Sequence, residues 1–377
     1  MKKIFLFDVY NKIESSYNYG AQKSMLQLLE TLKEENECIE IFLDSNLKKI
    51  KRKDRKIILP LNKVANVFGG KILKYNFFQK IKLVLSILFF QIRLYFLLKK
   101  EKPNIFYCND IRSFFMVFLA TKLLKIKTIT YIRADIKNNF VSRNCLRNCD
   151  KIITISNGLL NDLDQNFVKK YNDKIKLIYT GFDFDKYDYS SRLDNLSKEK
   201  VKIGYVASIN SRKGLDFLTD VLVNNKNIKD KYQLIIAGGV IPNYEEYWDK
   251  IENKLKSNNI DYVFLGFQKD IDKVYNSIDF LVLPSLSEGL PRSIIEGMSH
   301  SIPVIGNDVG GTNQIIEDGV NGFLMKVDDK ISWEEKIELL IFDNKLRVSM
   351  GEKARKIVIE KFSIAKYKRR VKEEFWI

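Results

Sequence analysis

Residues 282–325, VLPSLSEGLPRSIIEGMSHSIPVIGNDVGGTNQIIEDGVNGFLM, hold the pattern that decides the fold. The apolar run 279–285 has strand length and ends in a loop containing Glu288, Gly289, Leu290 and Pro291. A helix-period segment with Ser293 and Glu296 follows, and then a second strand-like run, IPVIGND (302–308). Upstream, VKIGYVAS (201–208), YQLIIAGG (232–239) and YVFLGF (262–267) read as strands, with helical patterns at 215–223 and 244–257. Strands alternating with helices predict a parallel sheet covered on both faces.

The first half has the same rhythm. KKIFLFDV (2–9), CIEIFL (38–43), NIFYC (104–108), TITYI (128–132), KIITIS (151–156) and KIKLIYTG (174–181) read as strands. Helical patterns lie at 21–35, where Met25, Leu28, Leu29 and Leu32 share a face, and at 114–124. The polar stretch 183–200 reads as the linker. The chain's 377 residues exceed what one core usually holds. The expected architecture is α/β: two Rossmann-like domains with parallel sheets facing each other across a cleft. The division places a first domain at 1–185, a second domain at 186–358, and a C-terminal helix at 359–377.

Composition excludes several classes. With 45% hydrophobic residues, 18 glycines and 6 prolines, the chain is neither disordered nor collagen-like. The apolar start is short and interrupted by Asp8, so it reads as a strand rather than a signal peptide, pointing to a cytosolic chain. No run of 18 uncharged apolar residues occurs, which argues against a conventional spanning helix. Four scattered cysteines (Cys38, Cys108, Cys145, Cys149) make no disulfide framework and read as reduced, partly buried thiols. Cys145 and Cys149 stand one helical turn apart, but His300 is the single histidine, so no metal site is expected.

The net charge of +17 is uneven. Residues 51–100 hold 13 basic residues and one acid, whereas 251–350 hold 10 basic and 16 acidic residues. One part of the molecule is thus expected to face something anionic. The basic region contains IKLVLSILFFQIRLYFLLKK (81–100), read either as a buried helix of the first domain or as a helix reaching into a lipid interface. In the second reading Lys51, Arg52, Lys53, Arg55 and Lys56 lie near anionic headgroups. The basic stretch has no nucleic-acid-binding signature.

Loops after strands carry the chemistry in such sheets. Arg212-Lys213-Gly214, just before a helical pattern, combines two cations with a helix start and suits an anion. Glu288 and Glu296 can accept hydrogen bonds from sugar hydroxyls. Ser293 and Glu296 also fit a capping box, a purely structural alternative. Gly310 and Gly311 permit close backbone approach.

The segment 282–325 resembles the donor domain of the retaining GT-B glycosyltransferases of family 4, with two glutamates separated by seven residues. The order Arg212-Lys213-Gly214, AGG (237–239), FLGF (264–267), glutamate pair agrees as well. The resemblance implies a nucleotide-sugar donor whose diphosphate is neutralised by Lys213 and Arg212. It implies Glu296 on the ribose, and Glu288 on the transferred sugar beside Gly289, Leu290 and Pro291. It also implies Ser293 and its helix start at the diphosphate, with Asp270 and Ile271 near the base. Tyr19-Gly20-Ala21 looks like the family's glycine loop. Arg133, in TYIRAD (130–135), stands where many members carry a histidine, and reads as binding phosphate or sugar with Asp135 orienting it, or as a structural salt bridge. Gln314 replaces the glutamate of a GG-x-x-E pattern. His300 reads as structural.

The implied activity is a retaining, metal-independent hexosyl- or N-acetylhexosaminyltransferase without cofactor. Its partners would be a nucleotide-diphosphate sugar and a glycan or lipid-linked acceptor of bacterial surface polysaccharide synthesis. It would work at the inner face of the membrane, with an anionic surface as docking partner. The competing reading is a noncatalytic basic membrane- or polyanion-binding protein on a degenerate GT-B scaffold.

Overall fold

The computed structural model describes residues 1–9, 20–44, 49, 51–53, 55–62, 75–133, 136–161, 163–186 and 200–375. The chain divides into two compact units, one of 1–155, 159–178 and 368–377, the other of 156–158 and 179–367. The sequence reading put the first boundary at 185/186 and the last at 358/359; by contacts they fall at 178/179 and 367/368.

The first unit contains, in chain order, β1 (Lys3–Phe7), α1 (Gly20–Leu32), β2 (Glu37–Asp44), β3 (Lys51–Lys53), β4 (Lys56–Pro60) and α2 (Phe77–Glu101). There follow β5 (Ile105–Cys108), α3 (Ile111–Leu123), β6 (Lys127–Ile132), α4 (Phe140–Asn148), β7 (Lys151–Thr154), α5 (Gln165–Lys170) and β8 (Ile175–Leu177). The strands form one sheet in the order β3-β4-β2-β1-β5-β6-β7-β8. Among the described residues β3 alone pairs antiparallel, with β4. Order reverses between β1 and β5, the switch point of this sheet. Phe5, Phe7, Phe106 and Phe114 are fully buried around these central strands, with Phe90 of α2 stacked on Phe7.

The sequence reading missed β3 and β4. Lys51–Lys53, read only as cations near anionic headgroups, is an edge strand, a position where lysines are common. A second correction concerns α2. It runs longer than the predicted 81–100, and it is not a buried helix: Phe90, Gln91, Leu94 and Leu98 are its buried residues. By length and composition it is apolar enough to cross a membrane, against the expectation from the uncharged-run criterion. All four cysteines are buried rather than partly so.

The second unit contains β9 (Val201–Val206), α6 (Leu215–Asn224), β10 (Tyr232–Ala237), α7 (Glu245–Ser257), β11 (Tyr262–Gly266), α8 (Asp272–Ser277) and β12 (Phe280–Leu283). It continues with α9 (Arg292–Ser299), β13 (Val304–Asn307), β14 (Gly322–Met325), α10 (Lys330–Phe342) and α11 (Asn344–Phe362). Its sheet has the order β11-β10-β9-β12-β13-β14, and among the described residues its strands pair in parallel. β14 is an addition to the sequence reading; glycine and flanking turn residues hid its four-residue apolar core. Tyr205, Phe280, Trp333 and the aliphatic residues around them form one dry core. Here the switch point lies between β9 and β12.

The last helix, α12 (Ile364–Phe375), starts after Ser363, whose extended backbone ends α11. Its last turns belong to the first unit. Phe375 packs on Tyr107 at 6.1 Å, Glu374 pairs with Lys151 at 2.9 Å, and Lys368 and Lys372 pair with Glu34.

Candidate functional site

In the second unit the loops after β9 and β12 meet at the switch point. A short 3-10 turn, Ser211–Lys213, ends at Gly214 in the left-handed region (φ 70°). A Cβ on Gly214 would lie 2.2 Å from the Pro284 carbonyl oxygen, so glycine allows the two loops to touch. The backbone then joins them: Leu286 N–H donates to the Arg212 carbonyl at 2.8 Å. The Tyr205 hydroxyl reaches up from the core to the Lys213 carbonyl at 3.4 Å.

This fixes the charged side chains. Lys213 Nζ donates to Glu288 Oε1 at 2.5 Å, with both side chains largely buried. Arg212 stays half exposed, donates to the Ser287 carbonyl at 2.5 Å, and stands 4.0 Å from Glu288 Oε2. A third loop presses on the glutamate from behind. Gly310 is left-handed (φ 56°), and a Cβ there would lie 1.6 Å from the Glu288 carbonyl oxygen. Asn307, held by the Trp333 indole N–H at 3.2 Å, donates to the Ser285 carbonyl at 3.2 Å. Gly289, Leu290 and Pro291 continue from Glu288 into α9.

The α9 N-cap is Pro291, and no side chain caps it. This corrects the capping-box alternative: Ser293 lies inside the helix, and Glu296 bonds elsewhere. The first amides of α9, Ser293 among them, thus present the positive helix end beside the Lys213–Glu288 pair. Glu296 lies one turn further along, accepting from the Tyr275 hydroxyl at 3.3 Å and from Arg292 at 3.2 Å. Arg292 in turn lies over the Phe182 ring at 4.5 Å. Neither Tyr275 nor Arg292 was singled out from sequence; the four-residue spacing of Arg292 and Glu296 was the available signal.

Asp270 and Ile271 stand between β11 and α8, away from the switch point and toward the sheet edge; Asp270 pairs with Lys273 at 3.3 Å. His300 is fully buried, contacts the Glu296 carbonyl through Nδ1 at 2.8 Å and packs its ring, tilted by 35°, on Tyr275 at 5.2 Å. It ties the end of α9 to α8. Gln314 accepts from the Asn157 amide at 3.2 Å and the Tyr179 hydroxyl at 3.1 Å, so its side chain is engaged in holding the chain near 157 and 179.

In the first unit, Arg133 follows β6 and takes part in a polar cluster at the other switch point. It donates to Asn109 Oδ1 at 2.6 Å and to the Tyr107 hydroxyl at 3.2 Å, and lies over the Tyr131 ring at 4.1 Å. Asn109 passes the contact on to Asp8, donating at 2.6 Å; both residues are buried. Burial pushes the Tyr107 phenol up, keeping it a neutral donor to Asn109. Asp8 and Asn109 were missed as members of a site. Gly20 opens α1. Tyr19 and Asp135 lie outside the described residues.

Comparison with known proteins accounts for both units. Residues 20–186 match the model described as Glycosyltransferase Family 4, and 190–357 match Glycosyl transferases group 1. The chain belongs to the group 1, family 4 glycosyltransferases. Its GT-B fold agrees with solved structures: HepE of Anabaena, in complex with UDP, superposes over 100% of both chains with a TM-score of 0.77 at 17% identity. An uncharacterized glycosyltransferase of Methanocaldococcus jannaschii is 31% identical over 239 residues, 62% of this chain and 61% of that relative. A UDP-Gal:alpha-D-GlcNAc-diphosphoundecaprenol alpha-1,3-galactosyltransferase of Escherichia coli is 24% identical over 75% of this chain and 77% of the relative. For a glycosyltransferase of this family, the paired loops at 211–214 and 286–291 are the candidate donor site.

Proposed function

We propose that this glycosyltransferase moves a sugar from a nucleotide-diphosphate donor, with retention of anomeric configuration, to a glycan or lipid-linked acceptor at an anionic membrane face. The supporting observation is the buried Lys213–Glu288 pair beside the uncapped α9 N-terminus. Lys213, Arg212 and the α9 amides supply positive charge where a diphosphate leaving group gains negative charge. That charge is the protein's own, which favours a metal-independent step. Glu288 accepts from hydroxyls of the transferred sugar and Glu296 from the ribose. In the reaction the bond from the anomeric carbon to the diphosphate oxygen breaks, its electron pair leaving with the diphosphate. The acceptor oxygen bonds to that carbon on the same face and its proton passes to the departing phosphate. No enzyme nucleophile is consumed. Arg133, held by Asn109 and Tyr107 at the first unit's own switch point, is a cation suited to phosphate or sugar.

The lipid-linked acceptor named for the Escherichia coli relative supports the acceptor class, and the UDP held by HepE supports a nucleotide donor. The test is transfer from a panel of UDP-, GDP- and ADP-sugars, with product anomers assigned by NMR and EDTA added in parallel. Lys213→Ala and Glu288→Ala are expected to lose turnover; wild-type activity in both variants would overturn the assignment.

A further inference from the structure

We infer that one face of α2 is a docking surface lying in the plane of an anionic bilayer, and that a lysine-lined pocket at the helix's carboxyl end receives lipid headgroup phosphate. This deepens the membrane part of the reading above and does not depend on the donor site.

The helix has two apolar faces. One, through Phe90, Leu94 and Leu98, is packed into the first unit's core. The other points outward: Phe78 is 79% exposed, Leu85 60%, Phe89 55% and Phe96 64%, with Val84 and Ile92 between them. Leu123 at the end of the neighbouring α3 extends the patch. An ordinary surface helix would put charge there. So large an exposed apolar surface marks a partner.

Cations border the outward face on one side. Lys82, Arg93 and Lys100 are separated by 11 and 7 residues, close to whole numbers of turns, so they share one stripe. Arg93 lies over the Phe89 ring at 4.3 Å, its stem following the apolar surface. Apolar side chains flanked by basic ones fit the boundary between acyl chains and anionic headgroups. A spanning placement would strip the buried face of α2, Phe90 and Leu94 included, from its packing on Phe7 and the first unit's core. At about 37 Å the helix offers a long contact line.

Where α2 ends, a cavity of about 530 Å³ is lined by Lys2, Lys99, Lys102, Lys125 and Lys127, with Leu98 and Ile126 at its walls. Lysines from three chain segments thus converge on one pocket, and none of the pocket's lining residues is acidic. Its ligand chemistry is phosphate, and its place at the carboxyl end of the same helix selects a phospholipid headgroup as the source.

The experiment is sedimentation of the full chain with vesicles of phosphatidylcholine, alone or one-third phosphatidylglycerol. Wild type should bind the anionic vesicles at least about tenfold more tightly, and less so as salt rises. Leu85→Glu/Phe89→Glu should abolish binding while circular dichroism and transfer to a water-soluble acceptor persist. Replacing Lys99, Lys102, Lys125 and Lys127 by Gln should bring the two vesicle types toward equal binding. Alkaline carbonate should release the bound protein. Indifference of wild type to vesicles, unchanged binding of the glutamate variant, or resistance to carbonate would each overturn the docking surface. So would a stable dimer that the glutamate substitutions dissociate, since a second copy would then cover the face. An unchanged lipid preference in the lysine variant would overturn the headgroup pocket. Loss of transfer to the water-soluble acceptor by wild type would instead count against the enzymatic reading.

Discussion

The carboxyl edges of the two sheets are built on different physical plans. At the second sheet, three loops interlock through backbone contacts that only glycine permits, and opposite charges meet directly as Lys213 and Glu288. At the first sheet, Arg133 reaches the buried Asp8 through a neutral intermediary, Asn109, and the cluster is held by side chains. A direct, buried ion pair next to a helix start is poised to exchange partners when a charged ligand arrives. A relayed network fixes the geometry of one cation through the side chains of Asn109 and Tyr107. Under the proposed function, the second edge handles the diphosphate and the first positions a cation.

Four measurements break or sharpen this contrast. The largest effect is expected for Lys213→Ala: loss of a charged donor to the leaving group should lower kcat/KM by about 10²–10³-fold, with a lower melting temperature as well because Glu288 loses its buried partner. A decrease under tenfold would remove the diphosphate from this edge. Next, Gly310→Ala should cost about 2–3 kcal/mol of stability and donor affinity, because its Cβ meets a carbonyl at 1.6 Å in a left-handed backbone. Gly319→Ala, also left-handed (φ 73°) but with no atom within 4 Å, should cost only about 1 kcal/mol. Equal losses in denaturant titrations would show that interlocking is not what glycine provides.

At the first edge, Arg133→Ala should lower kcat about tenfold, with Asn109→Ala following it in the same direction, while nucleotide affinity by calorimetry stays at the wild-type value. A change in nucleotide affinity would merge the two roles. The smallest effect lies far from either site. Gln233 and Lys200 hold the Asp261 carboxyl below the usual carboxylate range. A depressed folded value contributes stability that is present above the unfolded value of about 4 and lost as pH falls through the folded one. Asp261→Asn should therefore lower the melting temperature slightly at pH 7, and the gap should narrow as the pH falls below the unfolded value.

Much of this was legible in the sequence because parallel strands buried on both faces are continuous apolar runs. Thus β1, β2, β5, β6, β7 and β9 to β13 were read within a few residues. The loops bearing Lys213, Glu288 and Glu296 were legible because unusual residues stand at strand ends. What escaped depended on neighbours distant in sequence. Lys51–Lys53 became a strand only through β4, and β14 is too short to signal itself. Asp8 and Asn109, a hundred residues apart, share a hydrogen bond that no local pattern encodes. Ser293 and Glu296 matched a capping pattern, but Pro291 fixed the helix start two residues earlier than that pattern requires.

The chain alone determined alternation, the two-unit α/β plan and the chemical types at the loop ends, since these follow from local periodicity and residue chemistry. Tertiary structure decided which charges pair, which glycines are indispensable and which face of α2 is left bare. Those outcomes turn on distances of a few ångströms between segments far apart in sequence, and such proximity exists only once both sheets have formed.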